Sequence, residues 1–219
     1  MNIPFSTEEF FQVIENYNRA MFPIQLVILL LAIAGIVLLF TKHSGSNRFN
    51  SGFLGFLWMW SGSVYHLIYF TEINKAAYLF GILFITQGAL FFLESFGRNR
   101  IKLSIGRSPM HYLGYFFIIY GLVVYPFIEF LVEGTIFKTI SLGLPCPTTI
   151  LTFGVLMLTR GRIPGYLLII PALWALIGVN AAFNFGVYQD VIMLVAALTA
   201  LTSILASRKK NSDVESISG

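Results

Sequence analysis

Gly143-Leu144-Pro145-Cys146-Pro147-Thr148-Thr149 interrupts an apolar segment in which a helix would otherwise run without a break. The two prolines remove two amide donors and bias Leu144 and Cys146 toward extended backbone. Past the interruption, Pro147 is expected as the first helical residue, with Thr148 and Thr149 as first-turn hydroxyls ahead of the run Ile150 to Leu158. Inside a bilayer, irregular backbone persists only where protein or trapped water satisfies it, and interrupted helices mark the binding sites of transporters. The heptapeptide also holds the single cysteine of the chain.

The surrounding composition places this break in a membrane. Hydrophobic residues make up 57% of the chain and charged residues 11%, and mean hydropathy is +0.79; soluble domains carry about 25% charged residues. The expected fold is an all-α polytopic membrane bundle of seven helices, near 22–40, 53–70, 76–96, 111–132, 139–159, 164–183 and 191–206, the fifth broken at Pro145-Pro147. Ahead of them Ser6-Thr7-Glu8-Glu9 reads as a capping box. It opens a helix with Phe10, Ile14, Tyr17 and Met21 on one stripe. Residues 1–20 are therefore expected as an amphipathic interfacial helix, 21–207 as the transmembrane domain and 208–219 as a disordered cytoplasmic tail.

Lys42, Arg48, Arg98, Arg100, Lys102, Arg107, Arg160, Arg162, Arg208, Lys209 and Lys210 fall on one side of this arrangement, and only Arg19, Lys75 and Lys138 on the other. The bias predicts the N-terminus outside and the C-terminus in the cytoplasm. The net charge of +4 is thus a topology signal, with no nucleic-acid partner implied. A lone cysteine excludes an intramolecular disulfide.

With directions assigned, the polar residues of the spans gather toward the outer half. Tyr65, His66, Glu129, Cys146, Asn180 and Asp190 belong there, and Gln87 near mid-membrane. A candidate cavity for a small solute or cation is expected from these together with Pro145, Pro147, Thr148 and Thr149; acidic residues at its mouth would concentrate cations. Several of these residues have plainer roles. Gln87 and Asn180 suit hydrogen bonds between helices, and Glu129 can reach headgroups beside Glu133. His66 is either a satisfied core histidine or a titrating or metal-ligating group, and Cys146 either a small apolar filler or a reactive thiol. Cys146 and His66 are the only candidates for a soft-metal site. Glu94 is expected to pair with Arg98 one turn on. Gly114, Gly121, Gly154, Gly178 and Ala182 can seat helix crossings.

Pro4-Phe5, Glu9-Phe10, Tyr17-Asn18, Tyr65-His66, the run Asn74 to Gly81, Val124-Tyr125-Pro126, Gly143 to Thr149, Pro171 to Gly178 and Gln189-Asp190 occur together. Over nearly its whole length the chain resembles a family of small bacterial polytopic membrane proteins of unknown function, some labelled permease-like. The resemblance implies a bacterial plasma-membrane location and no particular substrate or cofactor. Lys75 stands where the family pattern often has proline. Other seven-span classes fit badly: spans 6 and 7 lack a lysine for a retinal Schiff base, and His66 alone in a span cannot build a multi-histidine zinc site.

The expectation is a permease or solute-binding protein embedded in the lipid bilayer. Two rival readings are a thiol enzyme or redox protein using Cys146 on a lipid or quinone with His66 as base, and a non-catalytic membrane scaffold.

Overall fold

The computed structural model describes residues 4–161 and 163–202. Arg162 and the expected tail at 208–219 lie outside the described residues. Among those described there is no strand, and two isolated bridges, Leu103 with Thr159 and Leu142 with Leu144, are the only β pairing.

Helix α1 spans Thr7–Phe40. Its start is the predicted capping box: Ser6 accepts from the Glu9 amide, and the Glu9 carboxylate takes the Ser6 amide at 2.7 Å. The expected boundary between a surface helix and a first span is absent. The helix continues through Pro23, whose missing N–H costs a single intrahelical bond. At about 1.5 Å per residue its 34 residues exceed the roughly 30 Å hydrocarbon thickness. The helix is therefore longer than a bilayer core, and in its first half Val13, Ile14, Tyr17 and Asn18 are buried against other elements. Beyond Met21 the exposed residues are mostly apolar, among them Leu26, Val27, Leu30 and Val37, as a face toward acyl chains requires.

Helix α2, Ser46–Trp60, widens into a π-helix over Ser61–Tyr69 and tightens to a 3₁₀ turn at Phe70–Glu72. Helix α3, Ala77–Leu93, extends through a π turn to Arg98. The two pack along paired glycines: a Cβ on Gly62 would lie 2.8 Å from the Gly81 carbonyl, and one on Gly88 would lie 2.8 Å from that of Gly55. Backbones meet directly at these points. Helix α4, Pro109–Ile119, passes through a π turn into α5, Tyr125–Glu133. Helix α7 spans Tyr166–Phe185, and α8, Tyr188–Thr202, opens with the 3₁₀ turn Tyr188–Asp190.

The segment expected as a fifth span, 139–159, differs from that expectation. Residues 134–144 are non-helical, and α6 begins at Pro145 and ends at Met157. Pro145, in place of Pro147, is the first helical residue, because Leu144 is already extended (φ −86°, ψ 157°). The interruption is an irregular approach to one short helix, with no second half-helix before it. At 13 residues, about 20 Å, α6 is shorter than a bilayer core. Apart from Cys146, all of it is buried, so it is a central post encased by its neighbours. Trp58 donates to Thr152 on it at 2.9 Å, and a Cβ on Gly114 of α4 would stand 2.9 Å from the Gly154 carbonyl.

Among the described residues, four helices are long and apolar enough to cross a membrane: Thr7–Phe40, Ala77–Arg98, Pro109–Glu133 and Tyr166–Phe185. Pro145–Met157 and Tyr188–Thr202 are apolar but shorter.

Candidate functional site

The irregular segment before α6 is held by α1. Asn18, 1% exposed, donates to the carbonyls of Phe137 at 2.7 Å and Thr139 at 2.9 Å, and its own carbonyl accepts from Gln25. Gly143 adopts φ +99°, a left-handed backbone suited to glycine, and its amide donates to Thr148 at 3.3 Å. Tyr17 packs at this turn and accepts from the Trp60 indole at 2.8 Å. Asn18 was not singled out as a site residue by its sequence, although it lies on the apolar stripe one turn from Ile14, where an amide needs partners.

This scaffolding positions the first turn of α6 beside the start of α8. Cys146 donates from Sγ to Asp190 Oδ2 at 3.3 Å, and Tyr125 on α5 donates to Asp190 Oδ1 at 2.5 Å. Next in the chain, Gln189 donates from its amide to Glu129 Oε1, one turn along α5 from Tyr125. Two buried carboxylates, Glu129 at 2% and Asp190 at 3% exposure, are thereby stacked between α5 and α8. No Lys or Arg forms an ion pair with either among the described residues, and Glu129 Oε2 has no hydrogen-bond partner. Glu129 is thus turned into the protein, away from the headgroup position open to it on sequence alone.

A cavity of about 520 Å³ lies against this cluster. Pro145, Cys146 and Asp190 stand in its wall with Tyr65, Asn74, Trp174 and Asn180, and Pro4, Phe5, Phe10, Phe70, Phe80 and Phe185 supply much of the remainder. Phe10 stacks on Phe185 at 4.8 Å between centroids and Phe5 on Phe185 at 5.3 Å, so the N-terminal segment closes one side. Of the predicted residues, Pro145, Cys146, Tyr65, Asn180 and Asp190 share this cavity.

The others do not line it. Thr149 returns its hydroxyl to the Pro145 carbonyl, Thr148 accepts from Gly143, and Pro147 is buried in α6. Gln87 donates to the Leu167 carbonyl at 2.9 Å, tying α3 to α7. His66 is fully buried; Nδ1 lies 3.0 Å from the Ser61 carbonyl across the wide π turn, and Nε2 has no partner among Phe84, Phe80 and Trp174. The hydrogen bond of Cys146 goes to Asp190, so the structure supplies a carboxylate, where the sequence suggested His66, as the thiol's neighbour. Among the described residues no group of three or more His, Cys, Asp or Glu is placed to hold a metal ion.

At the opposite end of α3, Glu94 accepts from the Arg100 amide at 2.7 Å and from the Tyr166 hydroxyl, while Arg98 lies over the Tyr166 ring. The expected Glu94–Arg98 ion pair is not formed; the π turn at Glu94–Arg98 shifts the i+4 register that it needs.

Fold and site together define an all-helical protein with membrane-length apolar helices and a partly polar cavity at the foot of a short central helix. Residues 7–214 match a family of unknown function, DUF6064, and the chain belongs to that family. No curated protein and no solved structure matches it.

Proposed function

We propose that this is a small permease or solute-binding protein of the bacterial plasma membrane. Its N-terminus is outside, its C-terminus cytoplasmic, and seven segments cross or enter the bilayer with α6 as the short fifth. The distribution of Lys and Arg supports the orientation. The observation that carries the functional reading is the 520 Å³ cavity with Cys146 and Asp190 in its wall, at the irregular backbone before α6. Its volume suits a drug-sized molecule. Non-helical backbone at such a depth is expected beside a binding chamber. The test is alkylation of Cys146 in the full-length protein in proteoliposomes, with maleimide added from the outside. Protection by a solute that also accumulates, with accumulation lost in Cys146→Ser or Asp190→Asn, supports the proposal. Labelling only from the inside would sink it.

One observation favours a second reading. The Cys146 thiol donates to a buried carboxylate at 3.3 Å, an arrangement in which Asp190 can take the thiol proton. A thiol enzyme acting on a lipid or quinone would leave a covalent adduct on Cys146, visible as a mass shift of the intact protein that Cys146→Ser lacks.

A further inference from the structure

Asp190 receives hydrogen bonds on both oxygens, from the Tyr125 hydroxyl and the Cys146 thiol, and both donors are neutral groups. An ionised carboxylate removed from water costs several kcal/mol unless a positive charge stands near it. Glu129, the next carboxylate along the stack, makes the deficit larger, since Gln189 satisfies one of its oxygens and nothing satisfies the other. The described Lys and Arg residues form no ion pair with either group. The wall of the same cavity also carries the aromatic side chains Phe10, Tyr65, Phe70, Trp174 and Phe185. Ring faces carry negative quadrupole density and attract cations most strongly when both are desolvated. A metal ion that sheds its water needs several oxygen, nitrogen or sulfur ligands in exchange, and no cluster of three or more acidic, His or Cys side chains exists among the described residues to supply them.

We infer that the cavity binds a lipophilic organic cation, of the quaternary ammonium, phosphonium or protonated hydrophobic amine class, with its charge beside Asp190 and its apolar body against the aromatic wall. This deepens the proposed function and rests on its cavity being a binding chamber. The charge on the ligand supplies the counter-ion that the protein itself lacks, and the rings replace its hydration shell.

The experiment uses full-length protein in nanodiscs and two probes of similar size, methyltriphenylphosphonium and the uncharged triphenylphosphine oxide, with binding read by titration calorimetry and by protection of Cys146 from maleimide. Methyltriphenylphosphonium is expected to bind at least about tenfold more tightly than the oxide, a preference in the range of desolvated cation–π and ion-pair contacts. Asp190→Asn is expected to abolish the preference while retaining the oxide, and Asp190→Glu to keep it. Phe10→Leu, which leaves Asp190 intact, is expected to weaken the cation more than the oxide. Equal binding of both probes by the native protein, or unchanged cation binding by a folded Asp190→Asn, would overturn the cation inference and leave the chamber standing. If neither probe binds or protects Cys146, the cation inference is overturned together with the chamber.

Discussion

The Tyr125 hydroxyl on α5 donates to the Asp190 carboxylate at the start of α8, 65 residues away in the chain, at 2.5 Å. Both residues are buried, and the bond joins α5, which precedes the irregular segment, to the first turn of α8. Removing the hydroxyl leaves a buried carboxylate oxygen without its donor. Tyr125→Phe is expected to cost about 1–3 kcal/mol, the usual penalty for an orphaned buried acceptor. Thermal unfolding in detergent would measure it, and an unchanged midpoint would show that Asp190 finds another donor.

Asn18 holds the approach to α6 through two bonds to backbone carbonyls. Asn18→Leu keeps the branching at Cγ and deletes both. The expected outcome is faster hydrogen exchange over residues 135–144, with a stability loss of about 2 kcal/mol from two carbonyls left without their donor, that of Thr139 buried and that of Phe137 partly so. Exchange confined to α1 would show that the loop is held by something else.

Gly154 lies under α4, where a Cβ would meet the Ile118 amide nitrogen at 2.8 Å. The Ile118 nitrogen, like the Gly114 carbonyl oxygen 3.0 Å from the same point, belongs to helix backbone and cannot rotate away. Gly154→Val is expected to destabilise by about 1–3 kcal/mol through overpacking, or to prevent assembly. Size-exclusion profile and melting temperature in detergent report it. Gly165→Ala serves as the control, because the space around that residue is open.

Phe5 and Phe10 close the cavity through ring contacts with Phe185 and Phe70. Phe10→Ala is expected to raise the rate at which maleimide labels Cys146, with little change in global stability, since Phe10 is only partly buried. A rate equal to that of the native protein would mean that the thiol is reached by another path.

Helical class, apolar length and the capping box were legible in the sequence because each depends on local pattern. Runs of apolar residues, Ser6 three before Glu9, and two prolines around Cys146 act within a few residues of themselves. The interruption before α6 is local for the same reason: proline removes donors and restricts its predecessor wherever it stands. Local pattern did not reveal that Pro23 would sit inside a continuous α1, or that Pro145 would start α6, because long-range packing against Tyr17, Asn18 and Trp60 selects among conformations that proline allows. Partner choice was decided only by tertiary structure. Cys146 meets Asp190, Glu129 meets Gln189, and Glu94 takes Tyr166 and Arg100 in place of Arg98. A side chain's hydrogen bond depends on which helices face each other and in what register. Wide π turns at Ser61–Tyr69, Glu94–Arg98 and Tyr120–Val124 change that register by adding residues to a turn, which periodicity along one chain does not disclose.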